Sequence, residues 1–166
     1  ALDELNKEQD SDLRSLNEMT NLGKEIKDVK PGEERKIVED APVIKIVAVM
    51  LRNALEEGAS DVHIEFNGEK VKIRFRIDGD LRTTIVLPPN VYSGIVARIK
   101  ILAKLRLDEK RKPQDGSFST TIDGRKIDFR VSTMPAYYGE KVVMRILDAE
   151  RGVKLLDKLG LSETNL

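Results

Sequence analysis

Residues 62–77, VHIEFNGEKVKIRFRI, contain the strongest structural signal in the chain. Val62 and Ile64 alternate with polar residues, and after Asn67-Gly68 the apolar side chains alternate again from Val71 to Ile77. A period of two is typical of a strand with one buried face, and Asn-Gly is a strongly favoured hairpin turn. The stretch therefore predicts an antiparallel hairpin whose second strand has a basic outer face.

Working outward, the same alternation and its turn residues predict four more strands. They are expected at Leu81–Leu87, Ser117–Ile122, Arg125–Thr133 and Lys141–Leu147. Within the third of these, Arg130 lies on the face opposite the apolar residues. Residues 108–116 are polar and include a proline, so we expect a loop there.

Two helices are predicted beside these strands. A broad apolar stripe begins at Val43, with Asp40 as a potential N-cap, Pro42 in the first turn and Gly58 as the stop. A second stripe follows Pro88-Pro89-Asn90 and consists of Val91, Ile95, Val96, Ile99 and Leu102.

The chain divides into three parts. Residues 1–39 are predicted to form a flexible or partly helical segment, because Leu13, Leu16, Met19 and Leu22 recur at helical spacing before a linker-like run. Residues 40–150 form the predicted domain, and residues 151–166 a linker with a short helix at Val153–Leu159.

Charge and composition exclude several classes of protein. The 166 residues hold 29 basic and 29 acidic side chains, so the net charge does not favour a nucleic-acid partner. Residues 1–40 contain 12 acidic and 7 basic residues, a net charge of −5, which leaves +5 on the remainder. No apolar run approaches the roughly 20 residues of a membrane span, so direct membrane insertion is not expected. The chain has no cysteine, which fits a reducing cytoplasm.

The usual catalytic patterns are also missing from the sequence. A phosphate loop needs G-x-x-x-x-G-K-[ST], and the nearest run, Gly139-Glu140-Lys141, lacks the first glycine and the hydroxyl residue. One histidine and no cysteine exclude most zinc hydrolase designs, so no metal site is predicted. His63 lies on an alternating strand, which favours a structural histidine over a general base.

A basic loop is the most informative polar cluster. Residues 109–116, EKRKPQDG, precede the hairpin that carries Arg130. One interpretation is a solvated charge run. The other is a shared surface on which the loop and Arg130 meet phosphate oxygens, as an arginine finger does in phosphoryl transfer.

Several motifs occur together and in order between residues 41 and 147. They are APVI (41–44), EGASDVHIE (57–65), RFRIDG (74–79), KRKPQDG (110–116), FRVST (129–133) and GEKVVMR (139–145). This series resembles the second N-terminal domain of the ATPases of type II secretion and type IV pilus assembly.

The resemblance implies an α+β fold: a PAS-like, mixed and mostly antiparallel sheet of about six strands with flanking helices. It implies that the chain is part of a hexameric ATPase on the cytoplasmic side of the inner membrane, peripheral to it through partners. Those partners are a RecA-like motor domain of the same protein, neighbouring subunits and inner-membrane platform proteins. ATP and Mg²⁺ belong to the full-length protein, and no ligand or ATPase activity is expected of the fragment alone.

The resemblance also implies site residues. Arg130 is the first candidate for contacting the nucleotide phosphates in the full-length protein, followed by Arg111 and Arg145. Many relatives carry a further arginine directly after QDG, where this chain has Ser117. Asp61, His63 and Glu65 match an acidic motif of the family, and we interpret them as positioning the first strand.

Two other interpretations remain open. A stand-alone PAS-like module for ligand sensing or protein interaction fits the lack of a catalytic constellation. A nucleic-acid surface on Lys70, Lys72, Arg74 and Arg76 is disfavoured, because the total charge is balanced and aromatic residues that stack on bases are few.

Overall fold

The computed structural model describes residues 42–149. Two α-helices, one short 3₁₀ helix and six strands make up this part of the chain, and the sequence predicted the two α-helices and the six strands. They are α1 (Val43–Glu56), β1 (Asp61–Phe66), β2 (Val71–Ile77), β3 (Asp80–Leu87), a 3₁₀ helix (Pro89–Val91), α2 (Tyr92–Leu102), β4 (Gln114–Ile122), β5 (Arg125–Ala136) and β6 (Gly139–Asp148). The expectations for residues 1–39, for Asp40 and for the helix at Val153–Leu159 concern positions outside the described residues.

The β1–β2 hairpin forms at the predicted turn. The Asn67 side-chain oxygen accepts hydrogen bonds from the backbone N–H groups of Glu69 and Lys70, at 3.0 and 2.8 Å. Gly68 has a φ of +92°, which a residue with a Cβ rarely adopts. The local sequence therefore fixes both the turn and the register, which pairs Val62 with Phe75.

All six strands form one sheet in the order β3-β2-β1-β6-β5-β4. Every described pairing is antiparallel, which confirms the predicted α+β fold with a mostly antiparallel sheet of about six strands. The sheet consists of two meanders, β1–β3 and β4–β6, joined where β1 pairs with β6. The first and last strands of the domain therefore lie at its centre.

Helix α1 follows the predicted stripe with one difference at its start. Pro42 occupies the N-cap position rather than the first turn, and its carbonyl accepts hydrogen bonds from the N–H groups of Lys45 and Ile46. Gly58 follows the C-cap with a φ of +71°, as expected of a glycine that ends a helix.

The second meander begins earlier than predicted. Residues 114–116 were expected in a loop, but Gln114 and Gly116 pair with Thr133 and Val131 of β5. The polar composition of residues 114–116 suggested a loop. They form a strand because β5 supplies the backbone hydrogen bonds that a loop would make with water.

The helices and one face of the sheet enclose a single apolar cluster. Val62 and Ile64 of β1 are fully buried in it, as are Phe75 of β2 and Phe129 of β5. Side chains alternate along each strand, so the residues between them lie on the opposite face. That open face carries most of the charged residues of the sheet.

Candidate functional site: an arginine row on the open sheet face

Pairing across five strands aligns a row of residues on the open face. Ser117 of β4 is opposite Arg130 of β5, and Arg130 is opposite Arg145 of β6. Arg145 is in turn opposite Asp61 of β1, and Asp61 is opposite Arg76 of β2. Directly opposed residues have Cβ atoms about 5 Å apart, so neighbours in the row are within reach of each other. We call this set the arginine row.

Arg130 is exposed, and its guanidinium has no hydrogen bond or ion pair with any residue in the described range. Its strand neighbours Phe129 and Val131 are buried in the core, which fixes the backbone beneath it. A rigid strand thus presents five N–H donors to one side of the sheet.

Arg145 is held by an acid. Its Nε donates a hydrogen bond to Asp61 Oδ1 at 3.1 Å, while 66% of the side chain remains exposed. The Asp61 side chain is only 9% exposed, and its Oδ2 accepts a hydrogen bond from Ser60 Oγ at 3.0 Å. Arg76 Nε lies 3.6 Å from the same Oδ2. Sequence reasoning assigned Asp61 only to the strand, because its partner is 84 residues away.

Arg111 lies outside the arginine row. β4 begins at Gln114, which is opposite Thr133, about 10 Å along β5 from Arg130. Arg111 precedes that point by three residues and is exposed. Its backbone N–H donates to Glu109 Oε1 at 2.9 Å, and its guanidinium has no partner among the described residues. The structure therefore brings Arg130 and Arg145 together and places Arg111 elsewhere.

The Gln114 side chain organises the basic loop, a role that the sequence did not reveal. Its Oε1 accepts a hydrogen bond from the N–H of Arg106 at 2.9 Å. Its Nε2 donates to the carbonyl oxygens of Arg106 and Glu109 at 2.9 and 3.1 Å. One amide thus joins the two ends of the segment that precedes β4.

His63 lies in the middle of the open face, opposite Arg74 and Val143. Its Nδ1 is buried without a hydrogen-bond partner. Burial lowers the pKa of the imidazole, and the nearby charges of Lys141 and Arg74 lower it further. A neutral imidazole between cations agrees with the structural role that the sequence favoured.

A cleft lies on the helix side of the sheet. It has a volume of about 400 Å³ and is lined mainly by apolar and aromatic residues, among them Tyr92, Val96, Leu107, Pro135 and Tyr138. Burial, with the nearby charges of Glu140 and Glu65, raises the pKa of Tyr92 to about 12. The cleft and the arginine row occupy opposite faces, so a ligand in one does not touch the other.

Two further expectations concern metals and membranes. Within residues 42–149, no group of three or more His, Asp or Glu side chains is arranged to hold a metal ion. None of the helices described in this range is both long enough and apolar enough to span a membrane.

Comparison with known proteins identifies the family. The profile of the family described as "Type II/IV secretion system protein" matches residues 36–166, which include the whole arginine row. The chain belongs to this family. The family resemblance that the sequence motifs indicated is thereby confirmed.

Individual relatives agree with the family match. The chain is 48% identical over 127 residues to the type II secretion system ATPase E of Vibrio cholerae, covering 76% of this chain and 25% of the relative. It is 48% identical over 125 residues to the type IV pilus assembly ATPase TfpB of Acinetobacter baylyi, covering 75% and 21%. A putative type II secretion system protein E of Escherichia coli is 46% identical over 136 residues, covering 80% and 27%. The chain thus spans about a quarter of the length of these curated relatives.

Proposed function

We propose that this chain is an N-terminal domain of a hexameric ATPase that powers type II secretion or type IV pilus assembly. Two observations support the proposal: the family match, and the names of relatives that are ATPases of these two systems. The relatives are about four times longer than the matched region, which leaves room in them for a motor domain.

In this proposal the domain contributes arginines to the nucleotide phosphates. The observation that carries it is Arg130, whose guanidinium is exposed and without a described partner, directly beside Arg145. Guanidinium groups bind phosphate oxygens through two parallel hydrogen bonds. Ser117 lies opposite Arg130 where the family resemblance led us to expect another arginine, so Arg145 supplies the second guanidinium. Arg111, in the basic loop, is the third candidate.

The nucleotide itself is assigned to a RecA-like motor domain of the same protein. Residues 1–166 contain no G-x-x-x-x-G-K-[ST] run, so the phosphate loop and the ligands of Mg²⁺ belong to that motor domain. ATP bound there supplies the phosphates that Arg130 and Arg145 contact. The donors of the arginine row fit this task, because they are cationic, paired and presented from a rigid sheet.

In this proposal the phosphate contacts of the arginines couple ATP binding and hydrolysis to movement of the two domains. Phosphates bound between the two domains draw them together through the arginines, and hydrolysis with phosphate release removes that attraction. In a hexameric ring at the cytoplasmic side of the inner membrane, such rigid-body movements act on neighbouring subunits and on the platform proteins.

The test is Arg130→Ala in the complete ATPase, with Lys126→Ala as the matched control. Lys126 is exposed on the same strand and the same face, four residues from Arg130. Loss of hydrogen bonds to a charged phosphate predicts a fall in kcat/KM for ATP of roughly ten- to a hundredfold for Arg130→Ala. The control should retain its activity. Equal activity in the two variants removes Arg130 from the mechanism.

The coding sequence provides a second, independent test. If the gene continues beyond Leu166, the proposal predicts a phosphate loop of the form G-x-x-x-x-G-K-[ST] in the following domain. A stop codon directly after Leu166 contradicts the motor-domain assignment.

A stand-alone PAS-like sensing or interaction module is the second candidate function, and the cleft on the helix side favours it. Leu107 and Tyr138 line this cleft and are 47% and 53% exposed. In a module of that kind, Arg130→Ala has no effect, and substitutions in the cleft alter the response to ligand or partner.

A further inference from the structure

We propose that Asp61 is a positioning residue that aims Arg145 at the same anion that Arg130 contacts. This inference rests on the proposed function of the arginine row. The sequence motif placed Asp61 in a strand but gave no indication of its partner. In the structure its partner is Arg145, on the neighbouring strand β6 at the centre of the sheet.

The contact geometry suits positioning rather than simple neutralisation. Asp61 Oδ1 accepts its hydrogen bond from Nε of Arg145, at 3.1 Å. The two terminal nitrogens of Arg145 have no partner among the described residues. The guanidinium is therefore fixed at one edge and remains free at the edge that can bind a phosphate in a bidentate manner.

Asp61 itself is held firmly. Its side chain is about nine-tenths buried, and β1 lies between β2 and β6 in the middle of the sheet. Ser60 Oγ and Arg76 approach Oδ2, so Oδ1 is left for Arg145. Without this anchor, the long and largely exposed side chain of Arg145 would lose considerable rotamer entropy each time it bound an anion.

The two neighbouring arginines of the row repel each other. Arg130 and Arg145 are directly opposite on neighbouring antiparallel strands, and like charges in that arrangement destabilise a sheet. The single negative charge of Asp61 is shared by Arg145 and Arg76, and Arg130 has no ion pair within residues 42–149. An anion bridging both guanidiniums relieves this repulsion, which is the state expected when ATP is bound.

The same strand offers a matched control. Glu65 lies four residues from Asp61 on the same face of β1 and also joins a β2 cation to a β6 cation. Its partners are Arg74 and Lys141, with Lys141 Nζ at 2.8 Å. Glu65 has no contact with Arg130 or Arg145, so it reports what a bridging carboxylate contributes to the sheet alone.

The experiment compares Asp61→Asn, Glu65→Gln and Arg145→Gln in the complete ATPase, with kcat and KM for ATP and thermal stability measured for each. We expect Asp61→Asn to lower kcat/KM about tenfold, because the amide has no negative charge and is a weaker acceptor for Arg145 Nε than the carboxylate. Glu65→Gln should keep kcat/KM within about twofold of the parent value, even if it lowers Tm as much as Asp61→Asn does. A variant that carries both Asp61→Asn and Arg145→Gln should have a kcat/KM no lower than that of Arg145→Gln alone. Each change disrupts the same contact between the two side chains, so their effects do not add.

Arg145→Lys provides a second variant in case Asp61→Asn does not fold. Lysine keeps the charge at an exposed position, but it cannot bind Asp61 with one edge and a phosphate with the other. We expect a loss of kcat/KM close to that of Arg145→Gln. Full activity in Arg145→Lys overturns the inference.

Other results separate this inference from the function on which it rests. If Arg130→Ala and Arg145→Gln both impair kcat/KM while Asp61→Asn behaves like Glu65→Gln, the positioning role is wrong and the phosphate contact stands. If Arg130→Ala and Arg145→Gln both leave kcat/KM unchanged, the proposed function itself is wrong, and the positioning role is overturned with it.

Discussion

Lys100 of α2 and Glu140 of β6 form an ion pair in the interior of the domain. The Lys100 Nζ lies 2.7 Å from Glu140 Oε1, and only 1% of Lys100 and 6% of Glu140 is exposed. Lys100 also donates to the carbonyl oxygen of Glu109 at 2.9 Å. This one ammonium group therefore links the helix, the start of β6 and the basic loop.

Removing the lysine alone should be costly. We expect Lys100→Met to lower the free energy of unfolding by about 3–5 kcal/mol, because it leaves the Glu140 carboxylate buried without its cation. Adding Glu140→Leu should restore much of that loss, since the double change removes both charges. Urea denaturation measures both. The control is Lys45→Met on the exposed face of α1, expected within about 0.5 kcal/mol of the parent. A loss below about 1 kcal/mol for Lys100→Met would mean that Lys100 and Glu140 do not form a buried ion pair.

The Gln114 amide should be irreplaceable by a carboxylate. In Gln114→Glu an oxygen replaces the Nε2 donor and faces the carbonyl oxygens of Arg106 and Glu109. We expect a loss of about 1–3 kcal/mol of stability and faster hydrogen exchange at the Arg106 amide. Urea denaturation and hydrogen exchange measured by NMR check this. Lys112→Ala, in the same loop and exposed, should change neither quantity; similar effects in both variants would mean that the loop does not depend on Gln114.

Gly116 of the QDG motif should not tolerate a methyl group. A Cβ at this position would lie 2.6 Å from the carbonyl oxygen of Ala103 and 2.7 Å from Leu105. We expect Gly116→Ala to cost about 1–3 kcal/mol, because β4 or the end of α2 must move. Denaturant unfolding provides the measurement. Ser117→Ala, the next residue on the same strand and exposed, is the control, and an equal loss there rules out a steric cause.

His63 should remain neutral to lower pH than an ordinary histidine. Its pKa in the folded protein is lowered, so the folded state binds fewer protons than the unfolded state below a pH of about 6.5. His63 therefore does not reduce the free energy of unfolding above that pH, and its effect lowers this free energy as the pH falls below it. The chain has one histidine, so a single NMR titration gives the value directly.

Variants at this position give the matching stability test. His63→Gln should lose less stability than the parent between pH 7 and roughly pH 5, because it has no imidazole to protonate. Lys141→Met should move the pKa of His63 back toward its usual value, since it removes one of the two cations that lower it most. A pKa at or above the ordinary histidine value in the parent protein is incompatible with the buried position of Nδ1.

The sequence by itself determined the elements and their faces. Alternation from Val71 to Ile77 predicted β2 with its basic outer side, Asn67-Gly68 predicted the hairpin, and Gly58 predicted the end of α1. It also placed Arg130 on the outward face. These features depend on neighbours a few residues apart, through turn geometry, helix capping and the pleat of a strand, and such preferences can be read locally.

Only the tertiary structure decided which outward residues meet. A period of two tells which face a side chain occupies, but not which distant strand lies beside it, and β1 pairs with β6 across most of the domain. The contacts of Asp61 with Arg145 and of Lys100 with Glu140 therefore left no mark in the sequence pattern. Strand order and long-range register follow from how the whole core closes, and that closure placed the two arginines side by side.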